Sequence, residues 1–410
     1  LLNPGKEFTY NGSKYTYTKM KLIYNAGNNA YSHQQDLNEL ARAIKDVDTI
    51  VCQDCWWNGS ARWADIVLPA TTTMERNDIS SAGTYSIDKV FAMKQVIAPV
   101  GDALDDFEIF RRLAELFGVE YGFTEGKTQM DYVKLAYEGS SAAKDMPFEK
   151  FWETGMAPIK VPPEARKWVR HGDFRADPVK NALHTPTGKI EMYSATIDKM
   201  KLDDMPPLPK FPEPGEYLGN AKKGQLHVVS PHPYWRLHSQ LNNSESLRKR
   251  YTVQTREPLT ISPQDAAERG IKDGDLVELY NERGSLVVGA RVSDKIMPGV
   301  VSIFEGAWPQ IDSKGRCNNG LVNFLTSSRR SSSLTQATTA NTCLASLRKC
   351  TDADPGGTKA FEPPTIIDKT AVKIDPKFYG LDRAGPLREK ATASMTPGEK
   401  IFFQRCTVCH

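Results

Sequence analysis

The most chemically suggestive residues are Cys406-Thr407-Val408-Cys409-His410. Two thiols three residues apart can form thioethers to both vinyl groups of one haem c. Cys406 and Cys409 would then be the attachment points, and His410 would fall beneath the iron as an axial metal ligand. Zinc is the competing reading, and it requires a second ligand pair. Cys52-Gln53-Asp54-Cys55 is a second C-x-x-C pair, which admits a thioredoxin-like redox reading. Gln-Asp between the thiols and Trp56-Trp57 after them suit that reading poorly. The polar pair Gln53 and Asp54, at the end of an apolar run, is placed to face a ligand. Asn28, Asn29, His33 and Gln34 follow another such run. There they would either meet a phosphate or nucleotide at a helix start or simply cap that helix. His232, Arg236 and His238 offer donors for an anionic or heteroaromatic ligand, but a zinc reading lacks a carboxylate or thiolate partner nearby. Neither G-x-G-x-x-G nor G-x-x-x-x-G-K-[ST] occurs, so an ordinary dinucleotide or ATP loop is not indicated.

These residues need a frame to hold them. Lys21-Leu22-Ile23-Tyr24 reads as a short strand. Leu37, Leu40, Ala41, Ile44 and Val47 recur at helical spacing, and Asp48-Thr49-Ile50-Val51 reads as a second strand. The two strands lie about 27 residues apart, which suits a βαβ crossover with parallel strands. Residues 64–69 form a third strand closed by proline. In such sheets ligands sit beyond the carboxyl ends of the strands, where Asn29, His33, Gln53 and Asp54 fall. An amphipathic helix is expected over residues 105–117, with Phe107, Phe110, Leu113, Leu116 and Phe117 on one side. Between about 200 and 220 the prolines cannot continue a helix or an interior strand, and a domain boundary is placed there. Beyond it short strands are expected at 226–230, 275–280, 286–292 and 300–304. The second and third of these form a hairpin with Gly284 available for positive φ. Ser262 and Pro263 open a helix as N-cap and N1, and Gly270 stops it. This pattern predicts a barrel-like β domain. Residues 351–395 read as a tether, and Thr396-Pro397 opens a further helix.

The 410 residues suggest two to three domains with an ample core. The formal net charge is only +3 and shows no basic stripe, so nucleic acid is not an expected partner. No apolar run approaches the roughly 20 residues a membrane helix needs. Cys317, Cys343 and Cys350 are expected to be apolar filler. Both ends of the chain read as cuts through a longer polypeptide.

Several stretches together resemble the carboxyl half of the molybdopterin guanine dinucleotide oxidoreductases, in particular the dimethyl sulfoxide / trimethylamine N-oxide reductase family. They are residues 26–36, residues 62–78 with Glu75-Arg76-Asn77-Asp78, residues 187–194, residues 232–243 and residues 338–342. Residues 397–405 resemble the first helix of small c-type cytochromes. The chain departs from the family at Gly27-Asn28-Asn29-Ala30, where Gly-Gly-Asn-Pro is usual, and at Arg330-Ser331-Ser332-Ser333, where Gly-Thr-Ser-Lys is usual.

The resemblance implies an α/β parallel-sheet (Rossmann-like) domain over 1–210 and a mainly β barrel of double-psi type over 220–350, both binding molybdopterin dinucleotide. A linker over 351–395 and the start of a helical cytochrome c domain at 396–410 would follow. By the same resemblance the cofactor is molybdenum-bis(molybdopterin guanine dinucleotide). Asn29, His33, Gln53, Asp54, Arg76 and Asp106 would contact it from the first domain. From the second, His232, Arg236 and His238 would approach the pterins, and Asn323, Ala340 and Asn341 would supply closing hydrogen bonds. The implied activity is reduction of trimethylamine N-oxide or a related N- or S-oxide in the periplasm, with haem c fed by a quinol-linked c-type cytochrome. A biotin or methionine sulfoxide reductase, or a non-catalytic haem electron-transfer or nucleotide-binding module, are the alternatives. No catalytic residue is named. The molybdenum-ligating serine, the active-site aromatics and the export signal are expected in an amino half, and the stretch alone is expected to be inactive.

Overall fold

The computed structural model describes residues 1–82, 88–339 and 341–363. Ala340, Cys406, Cys409, His410, the expected helix at 396 and most of the 351–395 segment lie outside the described residues.

Strands Leu22–Ala26 and Thr49–Asp54 pair in parallel, with Leu22 opposite Thr49 and Ala26 opposite Gln53. Ile66–Pro69 joins on the far side of Thr49–Asp54 as the third strand. The crossover helix Leu37–Ala43 starts at Asp36, whose carboxylate accepts from the backbone N–H of Glu39 at 3.0 Å. These elements follow the sequence pattern closely. A preceding hairpin, Glu7–Tyr10 with Ser13–Thr16, turns at Asn11-Gly12.

The later strands close a six-stranded barrel. Around it run Pro258–Ile261, Ser285–Val292, Leu276–Tyr280, Thr342–Lys349, Gln225–Val229 and Val300–Ile303. Leu259, Ile261, Leu279, Leu286, Val288, Val301 and Cys343 fill its core. Full burial of a Val, Leu or Ile side chain contributes about 1.5–3 kcal/mol. The helix Pro263–Glu268 begins as expected, with Ser262 Oγ accepting from Asp265 N–H at 3.1 Å. Gly284 is a correction: its φ is not positive. It is glycine because a Cβ there would lie 2.8 Å from the Phe324 carbonyl oxygen and 2.9 Å from Asn38 Nδ2. Cys317, Cys343 and Cys350 are buried free thiols, as filler should be.

Compactness does not follow chain order. One unit combines residues 1–67 with 173–362, and the other holds residues 68–172. The division expected near 210–220 is therefore not where the packing divides. The reason is side-chain packing: Leu37 of the crossover helix belongs to the barrel's own apolar core, with Leu40 packed against it.

The second unit has an antiparallel sheet of Asp78–Ser81, Lys89–Met93 and Met156–Pro158. Its core is Val90, Tyr137, Ala142, Phe151 and Ala157, with Tyr137 and Phe151 stacked at 4.0 Å. The expected helix is present as Asp106–Leu116, but it buries Ile109 and Ala114, while Phe117 is exposed. Among the described residues no helix is long and apolar enough to cross a membrane.

The segment after Cys350 corrects the tether expectation over its first dozen residues. Arg316 binds Asp352 at 2.9 Å, and Ser313 N–H donates to Asp354 at 2.8 Å. Phe361 is buried edge-on to Trp308 at 5.3 Å, with the Arg62 and Arg248 guanidiniums over its ring.

Candidate functional site: a histidine rim on the barrel

Strand pairing decides what meets at the rim. Val300–Ile303 runs parallel to Gln225–Val229, with Val300 opposite His227, so both strands release their loops at the same end. Thr342–Lys349 runs antiparallel to Gln225–Val229 and begins at that end, Thr342 lying opposite Val229. Residues far apart in sequence therefore converge. His232 and His238 come from the loop after Val229, Glu305 follows Ile303, and the Asn341 carbonyl accepts from Ser230 N–H at 3.0 Å.

His232 Nδ1 lies 2.7 Å from Glu305 Oε1, and His238 Nδ1 lies 2.6 Å from the same oxygen. The two rings stand edge to face at 4.7 Å. Partial burial pushes the Glu305 carboxyl up, but hydrogen bonds from the two imidazoles outweigh it and hold it below the ordinary range. With Nδ1 engaged, Nε2 is the nitrogen each ring leaves for a ligand. Glu305 was missed from sequence. It lies 73 residues from His232 and follows an ordinary apolar strand, and no local motif marks it.

The first strand-to-helix turn reaches the same rim within this compact unit. His33 Nε2 is 3.0 Å from Ser239 Oγ, and the His33 ring is 5.9 Å from that of His238. Asn323 Nδ2 donates to the Gln34 carbonyl at 2.8 Å, and Arg62 donates to the Pro309 carbonyl at 2.6 Å. Asn29 Oδ1 accepts from Ser60 N–H at 3.3 Å, tying together the two loops that leave the parallel strands. Burial lowers the His33 imidazole below its usual value, Glu305 raising it and His238 lowering it further.

Several expected ligand-facing side chains point inward. Gln53 is fully buried and its Oε1 accepts from Tyr24 Oη at 2.6 Å, so it does not face a ligand. Arg236 also faces inward: its side chain is 1% exposed, donating to Glu257 at 3.2 Å and to the Glu305 carbonyl at 2.5 Å. Its role is to hold up the histidine loop from below. Asn323 is likewise buried, and its closing hydrogen bond is made within the chain. Asp54 is partly buried at its strand end. Burial raises its carboxyl, while Trp56 N–H at 3.0 Å and Asn58 Nδ2 at 2.8 Å oppose the shift. Cys52 is buried with its thiol pushed up to about 12, chiefly by desolvation. A thiol held in that form is a poor nucleophile, which argues against the redox reading of Cys52 and Cys55.

Arg76 and Asp106 lie in the second unit. Arg76 donates to the Thr71 carbonyl at 2.7 Å and to Asp78 at 3.2 Å. Asp106 is the first residue of its helix, which Asp105 caps by accepting from Glu108 N–H at 2.9 Å. A cavity of about 670 Å³ in this unit is lined by Asp105, Phe107, Arg111 and Tyr121. In the barrel unit a cavity of about 500 Å³ is lined by Glu216, Arg329, Arg330, Thr338, Thr339 and Asn341.

Buried polar atoms without a partner test whether this surface suits a polar organic ligand. In the first turn these are Asn29 Nδ2, Tyr31 Oη and Ser32 Oγ; beside the histidine loop they are Ser230 Oγ and Asn243 Oδ1. Unpaired buried donors and acceptors cost about 1–3 kcal/mol each, and a ligand rich in amide and hydroxyl groups would satisfy them. The donor set fits a pterin dinucleotide.

Comparison with known proteins decides the family. Residues 2–116 match the family described as Molybdopterin oxidoreductase, and residues 226–344 match that described as Molydopterin dinucleotide binding domain. Together the two stretches make up more than half of the chain. The chain belongs to the molybdopterin oxidoreductases. The chain is 44% identical over 379 residues to a trimethylamine-N-oxide reductase of Haemophilus influenzae, covering 89% of the chain and 46% of that relative. It is 45% identical over 375 residues to a dimethyl sulfoxide/trimethylamine N-oxide reductase of Cereibacter sphaeroides, covering 89% of the chain and 45% of that protein. The chain thus spans a little under half the length of these curated relatives. Acetylene hydratase from Pelobacter acetylenicus shares the fold, with a TM-score of 0.62 at 20% identity over 82% of the chain and 45% of that structure.

Proposed function

We propose that this chain is the dinucleotide-embracing part of a periplasmic molybdoenzyme that reduces trimethylamine N-oxide or a related N- or S-oxide. The observation that carries the reading is the 3.0 Å approach of His33 to Ser239, which brings the first strand-to-helix turn onto the histidine rim of the barrel. The similarity to oxide reductases along most of the chain supports the substrate class. The barrel's two parallel pairings support the double-psi arrangement.

When bound, the molybdenum–pterin group supplies the oxygen-atom acceptor and the two-electron couple for the reduction. The chain's part is to bind and orient. His232 and His238, locked through Nδ1 by Glu305, present Nε2 to the pterin edge. Asn29 Nδ2 and the hydroxyls of Tyr31 and Ser32 offer hydrogen bonds at the first turn. Asp54, Ala340 and Asn341 complete the proposed set. Cys406, Cys409 and His410 would hold haem c, which a quinol-linked c-type cytochrome would reduce. Haem attachment of this type is made outside the cytoplasm, which supports the periplasm.

The test is guanylate and molybdenum analysis of the chain purified from a host that makes this cofactor. Guanine nucleotide should co-purify with it and fall sharply in His33→Ala. Nucleotide-free protein overturns the reading. For the substrate, trimethylamine N-oxide should reoxidise a reduced viologen dye when the polypeptide is extended to its relatives' length. Covalent haem should appear only on export with haem-attachment machinery.

A further inference from the structure

We propose that His232, His238 and Glu305 form a binding site for a divalent transition-metal ion of the zinc class. The sequence argued against zinc here because no carboxylate stands near the two histidines. The fold supplies one. The three ligand atoms lie within 4.8 Å of one another, and both Nδ1 atoms converge on a single carboxylate oxygen. Two imidazoles with one carboxylate form a zinc ligand set that leaves a fourth position open. Tetrahedral zinc spaces its ligand atoms roughly 3.3 Å apart, so closure needs side-chain adjustments of no more than about 1.5 Å. In the metal-free state each Nδ1 hydrogen points at Glu305. On metal binding each neutral imidazole carries its hydrogen on Nε2 and gives the Nδ1 lone pair to the ion.

The site is held in place by its surroundings. His238 has a left-handed backbone (φ +49°), uncommon for a residue with a side chain. Gly306 sits so close to the His238 carbonyl that a Cβ would come within 2.5 Å. The Glu305 carbonyl is held by buried Arg236, and Trp308 Nε1 donates to the Ser239 carbonyl at 2.6 Å. The histidines themselves are reachable, His232 with 77% and His238 with 46% of the side chain exposed. His33 is adjacent, but its Nε2 is occupied by Ser239. The same imidazoles are the ones assigned above to the pterin. The two uses engage different nitrogens, Nε2 for the pterin and Nδ1 for the metal, so the metal site does not rest on that reading.

The experiment is calorimetric titration of Zn²⁺ into the cofactor-free 410-residue chain carrying C406S and C409S, so that the terminal thiols take no metal. We expect one equivalent to bind, weakened roughly tenfold or more by His232→Ala, His238→Ala and Glu305→Gln, with His184→Ala unchanged. His232→Ala is the decisive variant, because so exposed a side chain can be removed without unfolding the loop. Absence of zinc binding, or binding of wild-type strength in His232→Ala and His238→Ala, overturns the proposal. A chain that binds zinc but never carries guanylate would keep the metal site and discard the pterin reading.

Discussion

Arg236 and Glu257 meet at 3.2 Å with both side chains withdrawn from solvent. Glu257 also accepts from Asn242 Nδ2 at 3.0 Å and Tyr251 Oη at 3.2 Å, with Arg248 at 3.8 Å. Burial and the neighbouring Glu257 carboxylate push the Tyr251 phenol up to about 12. One carboxylate therefore compensates two buried guanidiniums beneath the histidine loop. Glu257→Ala should cost about 3–5 kcal/mol, because it leaves uncompensated charge in the interior. Denaturant unfolding checks this, with Glu257→Gln intermediate. A loss below 1 kcal/mol would show that the network is not tightly held.

Gly306 stands at φ +78° against the backbone of His238. Gly306→Ala combines a left-handed penalty of about 1 kcal/mol with overlap that the loop must relieve. A total of about 2–3 kcal/mol is expected, read as a lowered Tm. His232→Ala, at an exposed position, should stay within about 0.5 kcal/mol.

His33 should titrate below the ordinary value of about 6.5, because partial burial disfavours its charged form. Its folded pKa lies under its unfolded one. The stability it contributes is thus complete above about pH 6.5 and is lost as pH falls toward the folded midpoint. NMR titration of the imidazole tests the shift. Glu305→Gln should lower the midpoint further and His238→Ala should raise it, since Glu305 favours the charged ring and His238 opposes it. Movement in the opposite directions would contradict the geometry of the rim.

Glu108 is held at about 2, mainly by its hydrogen bond from Arg111 at 2.7 Å, with Arg112 adding to it. A depressed carboxyl contributes stability above its unfolded value near 4.3 and loses it as pH falls toward 2. Thermal unfolding of the second unit should therefore weaken across that window. Glu108→Gln should remove that part of the pH dependence by lowering neutral-pH stability toward the level the protein has in acid.

The elements holding the first turn were legible because apolar strand, periodic helix and apolar strand follow one another within a crossover's length. Ser262-Pro263 was legible as a helix start for an equally local reason. What escaped was non-local. Glu305 and Glu257 are single acids whose roles depend on which strands pair, and pairing in a closed barrel is not written in any window of residues. Arg236 shows the same limit from the other side: its place in a histidine-bearing loop pointed to a ligand, yet the loop turns it inward onto Glu257. The affiliation of Leu37 with the barrel core likewise arises from packing between segments nearly two hundred residues apart.

The burial of Phe361 edge-on to Trp308, under the guanidiniums of Arg62 and Arg248, holds the chain against the barrel unit eleven residues past Cys350. One aromatic ring thus settles where the segment beyond Cys350 is fastened, beside Trp308 and not at the end of Thr342–Lys349.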